Sequence, residues 1–209
     1  MANESVTGPE GTDLTRIVAF TDGVFAIAIT LLVLNFDVPE TGDLHKELDK
    51  LLPDLGAYFL SFAVIARFWV IHHRVFATLR SFDRRLMALN LLYLSLIVLV
   101  PFTTELLSDY GDDAPAPITY ALVLALASSV NWLMIRTSLS AGHVRAQERD
   151  RTVPFASAEA LHIPVVFFLS IPLALLSALA AELSWLLLVV TRPLFGWRHR
   201  RTDSPTTSE

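Results

Sequence analysis

Runs of about twenty apolar residues, separated by short polar links, set the rhythm of this chain. Six such runs are read: 16–36, 54–77, 86–107, 117–138, 158–180 and 182–197, the last short and weakly separated from the fifth. A hydrocarbon core roughly 30 Å thick takes about 20 helical residues to cross, so the pattern predicts an all-α integral membrane protein with six transmembrane helices. The links carry turn chemistry: "DVPETGDLHKELDKLLPD" holds Pro39, Gly42 and Pro53, and "SDYGDDAPAP" clusters Gly, Pro and Asp. The polar ends, 1–13 and 199–209, are expected to be disordered, leaving 14–198 as one six-span domain. Because the head is acidic, the first run is expected to stay in place rather than be cleaved as a signal.

Composition supports the membrane reading, with 53% hydrophobic residues, 18% charged residues and a mean hydropathy of +0.51. The absence of cysteine excludes disulfides and thiolate metal sites. A net charge of -5 is not that of a nucleic-acid binder; its distribution says more. Arg74, Arg80, Arg84 and Arg85 follow the second run, Arg136, Arg145, Arg149 and Arg151 follow the fourth, and Arg192, Arg198, Arg200 and Arg201 fill the tail. The alternate links are acidic: Asp37, Glu40, Asp43, Glu47, Asp49 and Asp54 against Lys46 and Lys50, then Glu105, Asp109, Asp112 and Asp113, then Glu182. Basic links stay on the cytoplasmic side. Six spans in the plasma membrane with both termini cytoplasmic satisfy every link, whereas five would strand one basic segment outside. The acidic face either concentrates cations at low salt or is simply solvated surface.

The first run, "RIVAFTDGVFAIAITLLVLNF", has three helical faces at 100° per residue. Ala19, Gly23, Ala26 and Thr30 form a small-residue stripe suited to close helix approach. Phe20, Ile27, Leu31 and Leu34 form a bulky stripe beside it. Ordinary bundle packing explains both, and on pattern alone it is the favoured reading. Asp22 lies away from the bulky stripe, and an ionised side chain at membrane depth costs at least a few kcal/mol unless compensated. Arg67 sits ~10 Å above Arg74 and Asp22 ~9 Å above Arg16 at the helical rise, so their depths match. Arg67, His72 or His73 is the expected polar partner, with snorkelling to the head groups as the alternative role of Arg67. Adjacent histidines diverge by about 100° and do not readily chelate one ion, so no metal or cofactor is expected.

These residues carry a family resemblance. "RIVAFTD" resembles the R-x-x-x-F-S-D signature of the transmembrane protein 175 family, the endolysosomal potassium channels and their shorter prokaryotic relatives, with Thr21 in place of the usual serine. "FTDGVFAIAITLLVL", "FWVIHHRVF" and "NLLYLSLIVLVPFTTEL" are similar to the same family, over most of residues 14–108. The resemblance implies a homotetramer with four first helices around a central pore, and no T-V-G-Y-G filter, a motif this sequence also lacks. It implies that Ile27 forms the constriction, with Thr30 and Leu34 in the next layers and Leu31 grouped with them from the bulky stripe. Arg16, Phe20, Thr21 and Asp22 match the signature, whose polar members brace the first helix. An apolar ring acts as gate and sieve for potassium and other monovalent cations, with modest selectivity over sodium.

Two other classes are weighed. A proton-coupled or other secondary transporter would use Asp22, Arg67, His72 and His73 as a relay. An enzyme is disfavoured, since the sequence has neither a G-x-S-x-G elbow nor an H-E-x-x-H motif. The charge layout yields a direct test. Cysteines placed at Asp112 and Arg149 of this cysteine-free chain are expected to label from opposite sides of intact cells, Asp112 from outside. Labelling of both from one side overturns the six-span topology.

Overall fold

The computed structural model describes residues 9–36, 51–156 and 158–185. They form helices α1 (Pro9–Leu31), α2 (Leu52–Phe76), α3 (Arg84–Val98), α4 (Val100–Tyr110), α5 (Pro115–Ser140), α6 (Arg149–Ala156) and α7 (Ala158–Leu176). A further helix, α8, is described over 178–185. Tight 3-10 turns extend α1 over Leu32–Asn35 and precede α6 over Ala146–Glu148. Among the described residues, four stretches are long and apolar enough to cross a membrane: Asp13–Leu34, Asp54–Phe76, Arg84–Tyr110 and Pro115–Ser140. Leu161–Leu176 is apolar but shorter. The sixth expected run is described only up to Trp185, and the expected tail lies outside the described residues. Residues 9–13, assigned above to the polar head, form the start of α1.

The third expected run is two helices rather than one. The break at Leu99 has a local cause: Pro101 at the start of α4 lacks an N–H and crowds the preceding turn. The Thr103 and Thr104 hydroxyls donate to the Val100 carbonyl at 3.0 and 2.8 Å, back-bonding within α4. The Thr104 hydroxyl also lies 2.8 Å from that of Ser61 in α2, and Ser61 shares a 3.0 Å bond with Tyr120 of α5. Three helices are thus joined through buried hydroxyls. The central helix is α5, with its buried positions spread over most of its circumference. Trp185 of α8 closes the bundle against Tyr120 and Phe167, with ring centroids 4.9 and 6.2 Å away.

The two Arg-rich links meet at one end. Leu79 and Val144 form an isolated antiparallel bridge, with the Arg80 N–H donating to the His143 carbonyl at 2.8 Å and the Arg145 N–H to the Thr78 carbonyl at 3.0 Å. Helix α5 stops there because Gly142, at φ 72°, takes the left-handed conformation that lets His143 N–H reach Ser138 and Gly142 N–H reach Leu139. Asp83 caps α3 by accepting from the Leu86 N–H at 2.7 Å, and His143 Nε2 lies 3.2 Å from its other oxygen. The Leu86 amide first, and then His143, hold the Asp83 carboxyl below its usual range. Its capping contribution is therefore present above the ordinary carboxylate range and lost as pH falls through the lowered value. At the opposite end Ser108 donates to Asp54, and Asp109, Asp112, Asp113 and Glu182 line one cleft. Among the described residues, these acidic side chains and the two Arg-rich links lie at opposite ends of the bundle.

Candidate functional site

Helix α1 is the least enclosed of the four long stretches: 22% of its apolar window is buried, against 56% for α5. Its exposed positions include Arg16, Ala19, Phe20, Gly23, Ala26, Ile27, Thr30, Val33 and Leu34. Phe20 is 57% exposed, Ile27 59% and Leu34 73%. The small and bulky stripes read from the sequence are therefore adjoining parts of one unpartnered face. Leu31 departs from it, being half-buried at the edge. The Thr30 hydroxyl donates to the Ile27 carbonyl at 2.8 Å, so it is taken up by its own helix.

The opposite side of α1 is fastened by polar bonds. Thr21 is fully buried and accepts from Asn90 Nδ2 of α3 at 3.0 Å; Asn90 Oδ1 in turn meets His72 Nε2 of α2 at 2.9 Å. One amide thus links three helices. The half-buried Asp22 accepts from the Trp69 indole N–H at 2.8 Å. His73 stacks on Trp69 with centroids 5.3 Å apart. The His72 ring is stacked between Phe76 at 4.0 Å and Tyr93 at 5.5 Å, and Phe25 of α1 tilts against it at 6.0 Å. Aromatic packing therefore surrounds the polar chain and keeps it dry, where a satisfied hydrogen bond is strong and an unmade one costly.

This arrangement adds a neutral donor to the polar partners expected for Asp22. The hydrogen bond comes from Trp69, two residues beyond Arg67, while His72 turns to Asn90 and His73 reaches Asp22 only through its stack on the indole. Arg67 itself is half-buried on α2. Sequence reasoning searched for a countercharge and so passed over a neutral donor. Asn90 was missed for the same reason, although a lone amide in an apolar span was the available signal. The geometry offers fastening: Thr21, Asn90 and His72 are bonded in one chain, and Trp69 donates to Asp22 beside it. Among the described residues no group of three His, Cys, Asp or Glu is placed to hold a metal.

An all-helical membrane bundle whose first helix is pinned on one side and open on the other defines the class. The pattern of the family described as "Endosomal/lysosomal potassium channel TMEM175" matches residues 16–101. A potassium channel of Chamaesiphon minutus is 41% identical over 155 residues, covering 70% of this chain and 76% of that one. A potassium channel of Streptomyces collinus is 45% identical over 127 residues, covering 56% of this chain and 62% of the relative, so that match spans less than two thirds of the relative's length. The crystal structure of a lysosomal potassium-selective channel TMEM175 homolog from Chamaesiphon minutus superposes with a TM-score of 0.78 at 31% identity, covering 88% of this chain and 97% of that one. The chain belongs to the TMEM175 family, a family of channels and not of enzymes.

The hydrogen bond on Asp22 is testable by a double-mutant cycle. Trp69→Phe keeps an aromatic ring and removes the N–H; leaving the half-buried carboxylate short of its donor is expected to cost roughly 1 kcal/mol of stability. Asp22→Asn in the Trp69→Phe background should then cost much less than in the parent, read by thermal unfolding of the purified assembly. Simple additivity would show that the two residues do not hold each other.

Proposed function

We propose that this chain forms a homotetrameric, potassium-permeable cation channel of six spans per subunit, with four copies of α1 around a central pore. Potassium and other monovalent cations are the permeating species, in a plasma membrane with both termini cytoplasmic. The observation that carries the proposal is the two-sidedness of α1: Thr21 and Asp22 are bonded inward to α2 and α3, while Phe20, Ile27 and Leu34 stand exposed on the other side. Lining a conduit in the assembly gives that face a role. Ile27 is the constriction, Leu34 the next apolar layer and Leu31 a residue at its flank. Arg16 and Phe20 mark the mouth of the same face. An apolar ring of this kind gates by dewetting and sieves weakly, giving modest preference for potassium over sodium.

The relatives support this reading, since those of Chamaesiphon minutus and Streptomyces collinus are potassium channels. The bond of His72 to Asn90 weighs against the transporter relay, because an imidazole buried among aromatic rings and already bonded is poorly placed to exchange protons with water. Single-channel recording of purified protein with asymmetric potassium and sodium tests the proposal, and absence of unitary currents overturns it.

Two variants test the constriction. Ile27→Asn should wet the ring, raise current and flatten discrimination among monovalent cations. A tetramer of that variant conducting like the parent removes Ile27 from the conduit. Thr30→Val should leave selectivity nearly unchanged, because the hydroxyl it deletes is already bonded to the Ile27 carbonyl. A large selectivity change would instead place that hydroxyl on the ion.

A further inference from the structure

A cavity of about 360 Å³ opens where α2 leaves the membrane-spanning stretch. His73, Arg74, Val75, Ala77 and Thr78 form one wall, and Glu148, Arg151 and Thr152 the other. The span Asp54–Phe76 ends inside this wall, which sets the cavity at the depth of phospholipid head groups. We propose that it binds the phosphate of an anionic membrane phospholipid between Arg74 and Arg151.

Four observations converge on that chemistry. Arg74 is exposed and has no hydrogen bond or ion pair among the described residues. Arg151 meets Glu148 only at 3.4 Å with its side chain 79% exposed, a weak pair that leaves most of its guanidinium donors available. The neighbouring arginines are used differently: Arg145 donates to the Ala77 carbonyl at 3.0 Å and Arg80 to the Gly142 carbonyl at 3.1 Å, fixing the cavity's rim. Thr78 and Thr152 donate to the Val75 and Glu148 carbonyls, so the hydroxyls at the floor serve the backbone and the open donors are the two guanidinium forks.

Paired forks suit a phosphate oxyanion better than point charges do, and Val75 with Ala77 offers apolar wall to the glycerol and upper acyl region. Glu148 disfavours a small dianion and tolerates a phosphodiester carrying one charge, which selects a lipid over free phosphate. Snorkelling arginines would meet lipid phosphates without selectivity; a site between two separate segments binds selectively and retains its lipid. His73 belongs both to this wall and to the stack on Trp69, so a bound head group rests against the ring behind the Asp22 anchor.

The test reads binding and is independent of conduction. The assembly is purified, exchanged with phosphatidylglycerol or phosphatidylcholine, and bound lipid is counted by native mass spectrometry. Phosphatidylglycerol should be retained in preference, and the Arg74→Gln/Arg151→Gln variant should lose roughly tenfold or more of it, at about 1 kcal/mol per arginine. Arg84→Gln/Arg85→Gln, which removes the same charge at the same end, should keep it. Equal loss in both variants, or undiminished retention by the first, overturns the site. A third arm offers inorganic phosphate as a thermal protectant; protection equal to the lipid's and lost in Arg74→Gln/Arg151→Gln would reassign the cavity to a soluble oxyanion and overturn the lipid proposal.

Discussion

A polar side chain in an apolar membrane must find its partner inside the protein, because lipid offers none. Thr21 and Asp22 impose that condition on α1, and much of the surrounding structure follows from meeting it. Asn90 on α3 and Trp69 on α2 must arrive at the right depth and orientation, which fixes the register of both helices against the first. His72 completes the amide of Asn90, and Phe25, Phe76 and Tyr93 close around the imidazole. Individually such bonds contribute only about 1 kcal/mol or somewhat more. Their value here lies in the penalty for any other register, which would strand several buried groups at once.

Fixing one side of α1 decides what its other side can be. Bonds on the Thr21 and Asp22 side point Ile27 and Leu34 away from α2 and α3, and leave them bare in the isolated subunit. A bare apolar face in a membrane carries no large penalty by itself, since lipid tails are as apolar as leucine. The small residues beside it, Ala19, Gly23 and Ala26, are what allow another backbone to approach closely. Helix α1 is thus anchored by polar chemistry and available for assembly by shape.

The sequence made the long helices legible because length and hydropathy alone specify a membrane crossing. The segregation of basic and acidic links was legible too, and the bridge between residues 79 and 144 joins two of the Arg-rich segments directly. Less was visible where geometry chooses among equivalent chemistries. Depth matching points Asp22 to Arg67 and gives no hint of the indole two residues away that donates a hydrogen bond to it. Asn90 carries no charge and left no imprint on the topology pattern. The two stripes of α1 were read as separate faces, and only the packing of the helix reveals that both lie on the exposed side. The division at Leu99 was announced by Pro101 alone, within a run whose apolar character continues unbroken.

The Leu99 break has a consequence for how the anchor is held. Helix α3 presents Asn90 to α1, whereas α4 presents Thr104 to Ser61 of α2 and, through it, to Tyr120 of α5. The two halves of the run, with Pro101 marking the boundary, thus serve two buried hydrogen-bond networks that share one crossing. The first fastens α1, and the second fastens α2 to the central helix α5, so the element against which α1 is pinned is itself held from the other side.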